Sequence, residues 1–368
     1  MDVDHNDPAY TDGETVTRSG SGCRSQCSRV TPTQAFAGGL DVSILVTGGA
    51  GFIGSHITEA LLERGHEVVV IDNLDPYYDV DIKRRNIETC RAVSEERFEF
   101  VEGSITDEAL VEEVFTEFGV EFVYHEAARA GVRTSVEQPK FYERNNVGGL
   151  LTLLEAAVDH DVERFVNASS SSVYGVPEYL PYDESHPNSP KSPYGTTKLA
   201  AEHYCDVWHS VHGLPTVSLR YFTVYGPRMR PNMAISNFVS RCLNGEPPVI
   251  YGDGEQTRDF TFIDDIVAAN LRLLGTDAAD GEVLNIGSTD NITINELADH
   301  VVSQVDADLD PIYEAPKEAE SRHTHADVSK AADRIGYAPS TDIREGVGEF
   351  IDWYRQNRGW YEPLVVSS

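Results

Sequence analysis

Lysine is scarce in this chain of 368 residues. It occupies six positions: Lys83, Lys140, Lys191, Lys198, Lys317 and Lys330. Basic residues number 29 against 61 acidic ones, for a formal net charge of −32. A field of that sign repels nucleic acid and anionic membrane, so neither is expected as a partner. Acidic excess spread along the chain, with little lysine, fits adaptation to high salt, where ions screen the self-repulsion. An ordinary acidic enzyme is the alternative. No run is long and apolar enough to span a bilayer, and no charged n-region with an apolar h-region opens the chain. The expectation is a cytoplasmic protein. Cysteine is sparse too, with five residues. Cys23 and Cys27 lie close together, but no second Cys or His pair completes a zinc site, so no metal is expected. An anionic substrate therefore needs a local cluster of arginines.

What is present is alternation. Residues 1–40, rich in Asp, Gly, Ser and Thr, read as a disordered acidic extension. Order begins with the apolar run Ser43 to Thr47, followed by a helix from Phe52 to Arg64 and a second strand ending at Asp72. Further strands are expected at 98–101, 122–125, 165–168 and 217–220, with helices at about 107–118, 140–159 and 192–212. Continuous apolar strands alternating with helices predict an α/β fold, a doubly wound parallel sheet covered on both faces. After Phe222, proline and glycine punctuate shorter elements. This predicts a dinucleotide-binding Rossmann domain over 41–222, with a return segment at about 258–288. Residues 223–368 then form mainly a smaller α/β substrate domain.

Gly48, Gly51 and Gly54 join the first strand to the first helix. Placed there, they permit a tight turn, close approach of a pyrophosphate and close helix–strand packing, with the anion at the helix N-terminus. Asp72 ends the second strand, where a carboxylate binds the adenosine ribose hydroxyls and repels a 2′-phosphate. NAD is thus expected over NADP, with Asn73 as a second polar contact. A serine run, Ser169 to Ser172, follows the fifth strand on the edge where open α/β sheets bind ligands. Tyr194 and Lys198 share a helix face one turn apart, so the ammonium group is expected to lower the phenol's pKa.

Taken in order, the glycine turn, Ser-Ser-Ser-Val-Tyr-Gly at 170–175, Tyr-Gly-x-x-Lys at 194–198, Arg220 to Pro227 and Arg258-Asp259-Phe260 resemble the extended short-chain dehydrogenase/reductase superfamily. The resemblance is to its nucleotide-sugar epimerase/dehydratase branch and covers residue 42 onward. It implies Tyr194 as the base, Lys198 as its partner on the nicotinamide ribose, and Ser170 as the hydroxyl bonded to the sugar O4. Ala127, Ala128 and Asn145 line the NAD pocket, and Phe222 backs the nicotinamide. Phe52, Ile53 and Ile105 belong to the same pocket, as does Ser104, which stands where an adenine-contacting Asp is usual. Arg258 resembles the arginine that binds the substrate diphosphate, and Asn232 opens a nucleotide-contacting segment. Lys317 stands in place of a second phosphate-binding arginine.

A 4,6-dehydratase of this branch carries an acid and a base directly after Ser170, and Ser171 and Ser172 cannot do that work. The resemblance therefore implies an NAD-dependent 4-epimerase acting on a UDP-hexose of the UDP-glucose/UDP-galactose type through a 4-keto intermediate. Ser171, Thr223 and Arg230 are the further sugar contacts. Thr223 and Arg230, with the segment 130–133, also resemble UDP-glucuronate 4-epimerases, and Thr324 leaves UDP-N-acetylglucosamine open. A dehydratase, a net oxidoreductase and a non-catalytic NAD-binding protein are the remaining readings. A homodimer is implied by the resemblance alone.

Overall fold

The computed structural model describes residues 42–316 and 321–366. The expected N-terminal extension and Lys317 lie outside them. The first half alternates strand and helix: β1 (Ser43–Thr47), α1 (Phe52–Glu63), β2 (Glu67–Asp72), α2 (Val80–Val93), β3 (Phe98–Glu102), α3 (Glu108–Phe118) and β4 (Phe122–His125). Then come α4 (Val132–Glu137), α5 (Pro139–Glu143), a π-helical turn (Arg144–Gly148), α6 (Gly149–Asp159), β5 (Arg164–Ser170), α7 (Pro193–Val207) and β6 (Thr216–Tyr221). The helix expected over 140–159 is thus broken by the π turn. The one expected over 192–212 likewise ends in a π-helical turn from Trp208 to His212.

The second half holds short elements: β7 (Thr223–Tyr225), α8 (Ala234–Leu243), β8 (Val249–Tyr251), β9 (Thr257–Arg258), β10 (Phe260–Phe262), α9 (Ile263–Arg272) and β11 (Glu282–Ile286). The chain finishes with β12 (Ile292–Thr293), α10 (Ile294–Gln304), β13 (Ile312–Glu314), α11 (Ser329–Ile335) and α12 (Ile343–Val366).

Seven parallel strands form the sheet, in the order β11-β6-β5-β4-β1-β2-β3. Alternation along each strand divides the core. Ile44, Val46, Val68 and Val70 face one apolar cluster, while Leu45, Val69 and Ile71 face the other. Helices α1, α2 and α9 contribute to the first cluster and α3, α6 and α7 to the second. α9 packs on α1, and β11 pairs with β6 in parallel register as the seventh strand. Among the described residues the other sheets are three two-stranded ladders, β7-β10, β8-β13 and β9-β12. Among the described residues no helix is long and apolar enough to cross a membrane.

Candidate active site

β1 lies between β2 and β4, so the chain leaves it in opposite directions on its two sides. The crevice at the carboxyl end of such a switch point is where doubly wound sheets bind ligands. The glycine turn sits there. Gly48 takes φ +70°, and a Cβ on Gly54 would lie 2.5 Å from the Gly48 carbonyl oxygen and 2.9 Å from Gly49 Cα. Both obstacles are backbone, so the turn and α1 meet this closely only with glycine. Gly51 caps α1 without a side-chain hydrogen bond. The first-turn amides are therefore available to an anion.

At the end of β2, Asp72 is buried, and its Oδ1 accepts from Leu74 N (2.8 Å) and from Lys83 Nζ (3.3 Å). Lys83 comes from α2, a helix the sequence reading did not anticipate. Its ammonium group offsets part of the carboxylate charge, so the case against a 2′-phosphate rests less on repulsion than the sequence suggests. Asn73 spends its side-chain oxygen on its own loop, accepting from Asp75 N (3.1 Å). Ser104 closes a similar turn with Thr106 (3.2 Å).

At the end of β5 the strand continues through Ser170, two residues further than its apolar pattern indicates. Period-two alternation then gives neighbouring serines different tasks. Ser169 donates to Glu202 on α7 (2.5 Å), while Ser170 donates to Ser172 Oγ and accepts from Ser172 N, both at 3.2 Å. Helix α7 starts under Ser192, whose hydroxyl accepts from Gly195 N (3.1 Å), with Pro193 pre-set for the first turn. That start delivers Tyr194 and Lys198 to the same crevice.

The electrostatics there differ from expectation. Burial holds the Tyr194 hydroxyl above its ordinary pKa, and the Ser170 hydroxyl and the Arg230 guanidinium pull the other way. Lys198 is not among the main influences on it. Its ammonium is buried and donates to the Ala168 carbonyl (2.5 Å), and burial pulls its pKa down to about 8 against the opposing pull of Glu126. Glu126, which the sequence reading missed, is half-buried in the cleft wall beside Ala127 and Ala128. Burial raises it to about 7 while the Tyr221 hydroxyl, donating at 2.9 Å, and Lys198 favour its charged form. A lone acid one residue from Ala127 carried no pattern by which to find it.

Phe222 stands against the stacked pair Tyr174 and Tyr182, whose rings lie 4.5 Å apart and nearly parallel. From the second half, Arg230 lies over the Tyr77 ring at 5.5 Å. Arg258 Nη1 donates to the Thr257 and Arg322 carbonyls, and the Thr324 hydroxyl accepts from Asp259 N. All the residues assigned from the sequence to coenzyme or substrate, Lys317 apart, line one cleft of about 940 Å³. Asn145 is among them, with its side chain donating to the Phe141 carbonyl (2.7 Å), while its neighbour Asn146 ties the turn to other segments. In the π turn Asn146 accepts from Arg129 N (2.7 Å) and donates to Thr197 (3.0 Å). The residues fit a dinucleotide: a glycine cradle without room for side chains, a buried carboxylate at the next strand end, and a lysine below β5.

Comparison with known proteins agrees with this geometry. Residues 44–287 match the model of the NAD dependent epimerase/dehydratase family. A putative UDP-glucose 4-epimerase of Methanocaldococcus jannaschii is 38% identical over 85% of this chain and 99% of its own length. The structure of a UDP-glucuronic acid 4-epimerase from Bacillus cereus, in complex with UDP-glucuronic acid and NAD, superposes with a TM-score of 0.80. It is 37% identical and is matched over 86% of this chain and 99% of that one. A dTDP-glucose 4,6-dehydratase from Streptomyces venezuelae, with NAD bound, reaches a TM-score of 0.81 at 32% identity, over 88% of this chain and 100% of that one.

Proposed function

Since the chain belongs to the NAD dependent epimerase/dehydratase family, we propose that its cleft holds NAD and a UDP-hexose and inverts the sugar at C4 through a 4-keto intermediate. Overall shape does not separate epimerases from dehydratases, because both superpose equally well. The observation that carries the reading is local: Ser170, Tyr194 and Lys198 meet in the cleft, and Ser171 and Ser172 follow Ser170 where a dehydratase needs an acid and a base.

The glycine turn and Asp72 would hold the coenzyme's pyrophosphate and adenosine ribose, and Lys198 the nicotinamide ribose. NAD, when bound, would supply a reversible acceptor for the C4 hydride. Tyr194 removes the O4 proton, aided by the Ser170 hydroxyl and the Arg230 guanidinium, which favour its phenolate against burial. Ser170 and the protonated Tyr194 then hydrogen-bond the keto oxygen. The sugar turns over between them, and Tyr194 gives its proton back to O4. One proton leaves and the same one returns, so no further acid is required. Arg258 and Asn232 are the contacts proposed for the nucleotide.

For the sugar, the UDP-glucose/UDP-galactose type is the main reading. Arg230 favours UDP-glucuronate as a second one, since its guanidinium acts on Tyr194 and so stands close to the reacting end of the sugar. A cation there suits a C6 carboxylate. Incubation of the protein in high salt with UDP-glucose, UDP-glucuronate and UDP-N-acetylglucosamine separately, followed by NMR, tests both. A C4 epimer from UDP-glucose supports the first, and one from UDP-glucuronate alone supports the second. A 4-keto-6-deoxy product from any of them defeats the epimerase reading.

A pH effect follows from the pair Lys198 and Glu126 in the cleft wall. Lys198 is a base whose folded pKa is depressed to about 8, so its ammonium is lost as pH rises through that value. The Glu126 carboxylate opposes the depression. Glu126→Gln removes that opposition and is expected to move the alkaline limb of kcat/KM about one pH unit lower. Profiles from pH 6 to 10 check it, and an unmoved limb would show that Glu126 does not support Lys198.

A further inference from the structure

Two loops flank the glycine turn, one after β2 and one after β4. The first is bent by Asp72 and Asn73, which accept from Leu74 N and Asp75 N, and it carries Asp75 and Tyr77. The second carries Arg129, whose backbone is clamped on both sides by Asn146: Nδ2 donates to the Arg129 carbonyl (3.1 Å) and Oδ1 accepts from its N–H. Because β1 runs between β2 and β4, any contact between these loops passes over the turn at the end of β1.

Such contacts exist. The Arg129 guanidinium pairs with the Asp75 carboxylate, the two side chains being 16% and 24% exposed. The same guanidinium lies 4.4 Å from the centroid of the Tyr77 ring and 5.4 Å from that of Phe141. Tyr77 reaches Gly131 so closely that a Cβ there would sit 2.3 Å from its hydroxyl oxygen, at a backbone φ of +109°. A side chain at 131 would have to displace the Tyr77 ring and would sit at a backbone conformation that residues other than glycine rarely adopt. All of these residues border the same cleft.

We propose that Asp75, Tyr77 and Arg129 form a clasp over the bound coenzyme, holding NAD in place through the catalytic cycle. The proposal rests on the reading of the cleft as an NAD site. It supplies what a reaction without net redox change requires, since the coenzyme that takes the hydride must stay to return it. Magnitudes indicate where the strength lies. A partly exposed ion pair contributes little, and less in salt. The guanidinium stacked on aromatic rings is less sensitive to ions. The clasp should therefore persist at high ionic strength. Tyr77 also carries Arg230 over its ring, which joins the clasp to a proposed sugar contact.

The test is coenzyme release, measured without sugar. The full-length protein is loaded with radiolabelled NAD in high-salt buffer, chased with unlabelled NAD, and filtered at intervals. Arg129→Ala is expected to release label about tenfold faster than the parent protein, and Asp75→Ala, which removes only the ion pair, about twofold faster. The double variant should be no faster than the quicker single one, as for two halves of one contact. Asp75→Asn and Arg129→Lys keep the side-chain volume and should fall between, even if an alanine variant fails to fold. Release at the parental rate in folded variants, or additive effects in the double, overturns the clasp. Slower release from Asp75→Ala also overturns it, because that would mean Arg129 binds the coenzyme's diphosphate and Asp75 competes for it. A parent protein that takes up no label defeats the NAD reading itself, an outcome separate from these.

Discussion

Tyr194→Phe is expected to lower epimerase turnover by about 10³-fold, the scale of one general acid–base group, while bound NAD is retained. The substitution removes one oxygen. It leaves the ring, its edge-on contact with Tyr142 (6.4 Å between centroids) and the Ser192 cap that places the residue. Loss of turnover without loss of coenzyme would therefore trace to the proton and not to the shape of the cleft. Ser170→Ala should cost less, about ten- to a hundredfold, because Ser170 assists the proton transfer and does not carry it. Turnover by NMR, with coenzyme content from absorbance of the unfolded protein, measures both. Activity of Tyr194→Phe within tenfold of the parent would remove Tyr194 from the role of base.

The second large effect is on stability. Arg220 and Glu202 form a buried pair, 3% and 4% exposed, joined by two parallel hydrogen bonds of 2.8 and 2.7 Å. Glu202 also accepts from Ser169, and the Arg220 guanidinium lies 4.7 Å from the centroid of the Tyr174 ring. Arg220→Met leaves the carboxylate buried with only a serine, and should cost about 3–5 kcal/mol. Replacing both charges, as Arg220→Met with Glu202→Met, should cost clearly less than the single change, since no unpaired charge remains. Urea unfolding of the three proteins in matched salt measures this. A double variant no more stable than Arg220→Met would mean that the pair's geometry matters more than its charge. Because Ser169 precedes Ser170 on β5, the single variant should also lower activity of the protein that remains folded.

What the sequence made legible had local causes. The glycine turn, the aspartate ending β2 and the Tyr194–Lys198 spacing are short patterns whose chemistry depends on neighbours in the chain. The parallel sheet was legible because its strands are buried on both faces and read as unbroken apolar runs. The misses are of another kind. Helix α2 is dense with charge, and its inward residues become evident only through distant partners, Lys83 at Asp72 and Asn86 at the Ala50 carbonyl. Glu126 and Arg129 carry no motif, and their use depends on Lys198 and Asp75 arriving from elsewhere. The hydrogen-bond partner of Lys198 was hidden for the same reason. A shared helix face fixes direction, but the Ala168 carbonyl takes the ammonium group. The π turn that presents Asn146 interrupts a stretch whose composition is plainly helical.

The position of β11 has a consequence for the order of events during synthesis. β6 ends at Tyr221, but the strand that covers its outer edge begins at Glu282. About 60 residues must leave the ribosome in between, which takes roughly 3 to 12 s at ordinary elongation rates. For that interval β6 presents unpaired backbone donors and acceptors, a template for pairing with another chain. Five of the six residues of β6 are Thr, Val, Ser, Leu and Tyr, and the sixth is Arg220. That arginine does not shield the edge, because its partner Glu202 lies upstream on α7 and has already left the ribosome when β6 emerges.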